Sequence, residues 1–401
     1  MIRKESSEGI GYSVVENDVR HVFASAVPRA GTSLLEQAHD ALQTVSAVME
    51  EESTRWSIVK QAVFLKDINQ TEACRQIMKD FYGDELPATS YVPQPPCDGK
   101  LLSIEALGVG REQGKVEIQR LTERTVIVRH DDISYLHLAH IVPETDAPGV
   151  YTRARDAFKK MNAGLVDRGF RYDQVVRTWL YLGDIVGPEG DTQRYKELNR
   201  ARTDFYRDIH FGASHIPADW GRRVYPASTG IGTEGNDVVM SCIALATNRK
   251  DVSFVPLENP LQTSAFDYGQ EYSPESPKFA RAMAIVAGDY ATTLVSGTAS
   301  ITESETRYTG DVEGQTLQTL DNIGALISES NFAAQGQPGV GATLDDLALV
   351  RVYIKRQEDY ELVRNICECR LGELPTIYAV ADVCRPDLLV EIEAISFSQR
   401  G

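Results

Sequence analysis

The sequence predicts an α+β fold of three tandem units, each a mixed sheet backed by two helices. Three observations predict it. Apolar strand-like runs alternate with amphipathic helices, one order of elements returns three times, and 401 residues exceed what one small core serves. The units divide the chain into 1–115, 116–250 and 278–401, with a linker over 251–277.

In the first unit a strand over 21–27 precedes a helix over 33–51, where Leu34, Leu35, Ala38, Leu42, Val45 and Val48 fall near helical spacing. A strand over 58–67, a helix over 71–81 and strands over 87–92 and 100–107 close it. The second unit repeats the order: strand 133–139, helix 150–168, strand 175–182, helix 192–207, a loop with Pro217 and Gly221, then strands 226–231 and 238–246. The third runs through strand 292–299, helix 315–328, strand 347–354 and helix 358–370 into a final strand over 388–395. Between the last two units, 254–277 is rich in Pro, Tyr and Ser. That is long for a structureless loop, so it is expected to wrap a surface or cover a site.

A net charge of -17 argues against nucleic acid and against an anionic membrane surface as partners, since both need clustered Lys and Arg. A small anionic substrate stays open, because a few buried arginines set a local field. The six cysteines are scattered, and Cys367-Glu368-Cys369 has no matching pair, so neither zinc nor a disulfide framework is expected. The N-terminus shows no apolar leader pattern and no stretch reaches membrane-spanning length, which points to the cytoplasm. No P-loop, strand-linked GxGxxG or HExxH stands in the sequence, and no cofactor is expected.

The final strand carries the chemistry. Side chains alternate along a strand, so Glu391 and Glu393 share one face while Val390, Ile392 and Ala394 share the other. Two close carboxylates raise the pKa of one member, and burial raises it further, which makes a proton donor near neutral pH. The alternative is a solvated edge-strand face. Arg177 stands among apolar and aromatic neighbours, where a guanidinium needs either an anionic ligand or a structural carboxylate. Tyr181 shares its face and either orients a ligand or packs. Thr229-Gly230-Ile231-Gly232 is a short turn able to offer backbone N–H groups to a carboxylate.

Val295-Ser296-Gly297-Thr298-Ala299, 310–316, 321–323 and the closing Val390-Glu391-Ile392-Glu393-Ala394 resemble the Rid/YjgF family, and residues 20–110 fit the same template without its opening strands. The resemblance implies a Rid-like sheet-and-helix unit normally assembled as a homotrimer. Three such units in one chain then imply a monomer that is an intramolecular pseudo-trimer. Deaminating members hold an imine carboxylate with an Arg in the penultimate strand. Residues 91–98 have none, so the first unit is read as structural, and Arg385 is the nearest candidate in the third.

Residues 125–398 resemble the chorismatases more closely. The shared phrases are 177–181, Tyr195 followed by Arg202, 226–232, Glu258-Asn259-Pro260, Phe279-Ala280-Arg281-Ala282, and Cys384-Arg385 leading into Glu391. The loop from 210 to 223 departs from that pattern and is placed to reshape or gate a cleft. The resemblance implies hydrolysis of the enolpyruvyl ether of chorismate, with Glu391 as general acid and Cys384 favouring 3-hydroxybenzoate over the ring diol. Arg177, Tyr181, Arg202, Thr229, Gly230, Arg281 and Arg385 are the substrate-binding candidates. For Arg202 a solvated helix face is the alternative, and for Cys384 a plain buried thiol. A Rid-type imine deaminase or a non-catalytic binder of small acids are the competing functions.

Overall fold

The computed structural model describes all residues except 1, 8, 18, 54–56, 112–114, 213–214, 218–219, 270–274 and 401. Among the described residues stand three six-stranded sheets with one shared strand order. In each, three antiparallel strands lead to the unit's last strand, which pairs with the fourth strand, which in turn pairs in parallel with the fifth at the edge. A parallel pair needs a crossover, and the last helix of each unit supplies it. These helices are Thr71–Tyr82, Arg194–Tyr206 and Tyr360–Leu371.

The opening strands of the first unit are present, contrary to the sequence expectation. Ile2–Ser7 and Ile10–Glu16 complete its sheet. Ile2–Ser7 is an exposed edge strand carrying Arg, Lys, Glu and Ser, so it lacks the apolar alternation that marks a half-buried strand. The linker is also shorter than expected. Val252–Leu257 is the edge strand of the third sheet, and Pro256 is tolerated there because an edge residue needs no ladder donor. Residues 270–274 of the expected linker lie outside the described residues, as do 213–214 and 218–219 of the 210–223 loop. The described part of that loop is pinned elsewhere: His215 contacts the carbonyls of Val252 and Thr247 at 3.1 and 3.0 Å, and accepts the Phe254 N–H on its own carbonyl at 2.8 Å.

Helix starts follow from local chemistry. Ser33 and Glu36 form a capping box at Leu34–Glu51, and Asp311 accepts the Gly314 N–H to open Val312–Ile327. Each helix pair covers one face of its own sheet, giving three separate apolar cores. A fourth core forms where the sheets meet. It joins Ala62 and Phe64, then Trp179 and Tyr181, then Tyr353 and Ala379, so every unit contributes. Backbone hydrogen bonds link the ends of the three parallel edge strands in a ring. Glu234 N–H donates to Pro93 at 2.9 Å, Gly232 to Asp382 at 2.8 Å, and Val380 to Pro95 at 2.8 Å. Among the described residues no helix is long and apolar enough to cross a membrane.

His137 lies buried on Ile133–Ile141 with its Nδ1 unpartnered. Burial, helped by Lys60, pushes its pKa down to about 3. The neutral ring is favoured in the fold, so stability is full above the unfolded value near 6.5 and is lost as pH falls toward 3. Urea titrations at pH 7.5 and 5.0 should show the wild type losing about 2 kcal/mol more than His137→Gln over that interval.

Candidate active site

A cavity of about 650 Å³ opens between the second and third units. The second unit supplies Tyr195 and Asn199 from its crossover helix, and Ser228 and Gly230 from the parallel edge strand. The third supplies Gly297 and Ala299 from one strand, Glu391 from the next, and Cys384 and Arg385 from the turn between strands. Phe279 and Arg281 reach it from the segment before Ala282–Ala287.

Glu391 and Glu393 share a face as the strand period requires, and both are 4% exposed, which excludes the solvated-face alternative. Their fates differ. Glu391 faces the cavity, where burial first and the Glu393 charge second push its pKa up to about 8, against Arg177 and Arg281. It therefore carries a proton at neutral pH. Gly297 makes room for it: a Cβ there would collide with the Glu391 carboxylate.

Glu393 points into a ring of donors. Arg177 Nη2 donates to Oε2 at 2.8 Å, Trp179 Nε1 to Oε1 at 2.8 Å, and the Thr229 hydroxyl to Oε2. Arg351 Nη1 stands 3.0 Å from Oε1. Thr229 Oγ1 also accepts from Arg177 at 2.7 Å and from the Gly297 N–H at 2.9 Å, which uses all the capacity of one hydroxyl. That last bond ties the glycine beside Glu391 to the clamp on Glu393. Charge-assisted bonds of this kind are among the stronger hydrogen bonds in proteins.

The cations divide into two sets. Arg281 and Arg385 line the cavity. Arg281 Nη2 donates to the Thr263 carbonyl at 2.8 Å and to the Tyr268 hydroxyl at 2.6 Å, and Arg385 Nη1 donates to the Ser304 carbonyl at 2.9 Å. Tyr268 lies against both guanidiniums, at 5.5 and 5.3 Å from its ring centre. Arg202 stands one layer behind, buried rather than on a solvated helix face, held by Asn199 at 2.5 Å and near Ser228 Oγ at 3.4 Å. Ser228 also accepts from Thr178 at 2.9 Å, which leaves its own O–H for the cavity. Cys384 is a neutral thiol, its pKa pushed up to about 12 by burial and by Glu391. It forms part of the cavity wall.

Of the residues singled out in the sequence, Glu391, Cys384, Gly230, Arg281 and Arg385 meet at the cavity. Arg177, Tyr181, Arg202 and Thr229 do not line it. Arg177 pairs with Glu393, a structural carboxylate of the kind the sequence left open beside a ligand. The Tyr181 hydroxyl accepts from Arg351 at 3.0 Å instead of facing a ligand. Sequence reasoning missed Arg351, Glu105 and Lys60. A signal existed for Arg351, which stands in the apolar strand Leu347–Ile354 as Arg177 stands in Val175–Gly183. Tyr195, Gly297 and Phe279 stood only inside matching phrases, without roles. Among the described residues no group of His, Cys, Asp and Glu is arranged to hold a metal ion.

Repeated sheet-and-helix units with a buried carboxyl in a cavity at the seam between two of them define a Rid-like fold with a cleft between units. Comparison with known proteins agrees. A model described as chorismatase FkbO/Hyg5-like, N-terminal, matches residues 111–246, which span the second sheet and its helices. The chain is 34% identical over 279 residues to a 3-hydroxybenzoate synthase of Streptomyces hygroscopicus, covering 68% of this chain and 77% of that protein. A RutC family protein of Pyrococcus abyssi is 29% identical over 92 residues, 22% of this chain and 65% of its own. A chorismatase crystal structure superposes with a TM-score of 0.64 at 20% identity, covering 96% of this chain and 99% of that one, and so shares the fold. The chain belongs to the chorismatase FkbO/Hyg5-like family.

Removing one partner of a buried ion pair leaves the other charge uncompensated. Arg177→Met should lower the unfolding free energy by about 3 to 5 kcal/mol in denaturant titration, whereas Arg207→Met, at an exposed pair on the helix surface, should change it by less than about 1 kcal/mol.

Proposed function

We propose that the protein hydrolyses the enolpyruvyl ether of chorismate to release pyruvate, with Glu391 as the general acid. The observation that carries this reading is a carboxyl kept protonated inside a cavity that also presents two guanidiniums. Chorismate brings two carboxylates, and Arg281 and Arg385 offer planar forks to hold them. Phe279, Ala299 and Ile301 provide an apolar wall for the ring.

The steps balance without an external oxidant or reductant. Glu391 gives its proton to the methylene carbon of the enolpyruvyl group, and the vinyl π electrons make that carbon a methyl. The positive charge is shared between the adjacent carbon and the ether oxygen. Ionised Glu391 then lies close to this oxocarbenium ion and stabilises it. Water adds to the cation and loses a proton, and the hemiketal breaks its bond to the ring oxygen, giving pyruvate and a ring diol. Loss of one water from the diol gives 3-hydroxybenzoate. We favour that product, because Cys384 lines the cavity and the relative from S. hygroscopicus carries that name.

The same reading makes the chain a monomer with a pseudo-threefold arrangement, supported by three sheets of one strand order and the ring of backbone bonds at their edges. A scattering mass of one chain is expected, and three chains would contradict it. The six cysteines are all free, which supports a cytoplasmic setting.

Incubation with chorismate should release pyruvate in a coupled assay, with 3-hydroxybenzoate identified by mass. Glu391→Gln should lower kcat by about 100-fold or more while the thermal midpoint is retained, since positioned general acids contribute roughly 10²–10⁴-fold. Retained turnover would remove Glu391 from the chemistry. The acid must be protonated, so log kcat/KM should be flat at neutral pH and fall by one per pH unit above about 8.

A further inference from the structure

Among the described residues none of the first unit lines the cavity, yet two of its side chains end in the charged cluster behind it. Glu105, on Leu102–Gly110, takes both nitrogens of Arg351, Nε at 2.5 Å and Nη2 at 2.7 Å. Lys60, on Ile58–Leu65, places its Nζ 3.7 Å from Glu105 and 4.3 Å from the centre of the Trp179 ring. Arg177 and Arg351 lie against the same indole, at 4.7 and 5.4 Å. Trp179 then donates to Glu393. All three units thus meet on one aromatic ring.

Formal charges make Lys60 the variable member. Arg177 and Arg351 are ion-paired with the Glu105 and Glu393 carboxylates, so the formal charges of these four sum to zero. Lys60 adds one positive charge when protonated and none when neutral. The other groups facing it are His137, which is neutral near pH 7, and the four already named. Facing Glu391 are Glu393, Arg177, Arg281, Cys384 and Tyr195. A cluster that is neutral overall does not oppose a protonated acid beside it, whereas a positive one draws the proton off.

We propose that Lys60 is a positioning residue, a charge from the first unit that sets the net charge of the clamp on Glu393 and through it the proton affinity of Glu391. The first unit is then part of the acid–base machinery as well as a scaffold. Burial brings Lys60 itself down to about 8, with Arg351 contributing, so its charge changes over the range in which Glu391 would titrate. The proposal rests on Glu391 being the acid.

The test exploits two substitutions of opposite charge effect at one position. Lys60→Met removes the charge permanently, and Lys60→Arg fixes it, with a void of about 20 Å³ beside the side chain to take the larger head. With chorismate as substrate, the alkaline limb of kcat/KM should move up for Lys60→Met and down for Lys60→Arg. Each shift should be about half a pH unit, so activity at pH 9 relative to pH 7 changes by about threefold in opposite senses. A purely structural lysine would leave the limb where it was. Should Lys60→Arg not fold, Lys60→Met and Lys60→Gln carry the test, both moving the limb up. A limb unmoved in the variants overturns the role of Lys60 alone. A wild type without the limb, or an active Glu391→Gln, overturns the acid itself and is recognised separately in the same assay.

Discussion

The structure depends on one constraint: Glu393 is paired with two guanidiniums beside a second carboxyl that has no such support. Two guanidiniums, an indole N–H and a hydroxyl converge on Glu393. Glu391, two residues away on the same face, meets a cavity wall and a glycine. Identical chemistry on one strand is split by environment into an ion-paired carboxylate and a proton store. Thr229 joins the two halves, because its hydroxyl serves Glu393 while its oxygen holds the Gly297 N–H that leaves space for Glu391.

The clamp exists only because three sheets meet. Arg177, Trp179 and Thr229 belong to the second unit, Arg351 and both glutamates to the third, and Glu105 and Lys60 to the first. A buried guanidinium without its carboxylate costs several kcal/mol by typical magnitudes, so the cluster strongly selects the arrangement that pairs every charge. The apolar residues around it, Phe64, Tyr181 and Tyr353 among them, keep water away and so strengthen each of these interactions.

Much of this was legible in the sequence. The period of two along a strand put Glu391 and Glu393 on one face, and apolar periodicity located two long helices and the third, fourth and last strands of each unit, but not Ile10–Glu16, Thr125–His130 or Ala282–Ala287. Ile2–Ser7 was not legible, because a solvated edge strand has no apolar alternation. Val252–Leu257 was hidden by its proline. For Arg177 the sequence showed a charge that required a partner but could not choose between a ligand and a carboxylate 216 residues away. That choice is made by packing between sheets, which no local pattern encodes. The same holds for Arg202, whose helix face is buried against Asn199 and Ser228. The first unit read as structural because residues 91–98, matching the penultimate strand of deaminating relatives, hold no arginine. Its contribution comes instead from Lys60 and Glu105, whose strands looked like ordinary sheet interior.

The most direct measurement is the protonation state of Glu391 itself. Infrared difference spectra between the wild type and Glu391→Gln, taken across pH 6 to 10 without substrate, isolate the carbonyl stretch of that one carboxylic acid. A protonated-carboxyl band present at pH 7 and lost with a midpoint near 8 is the predicted result. A carboxylate already ionised at pH 7 would contradict the account, because Glu391 would then have no proton to give.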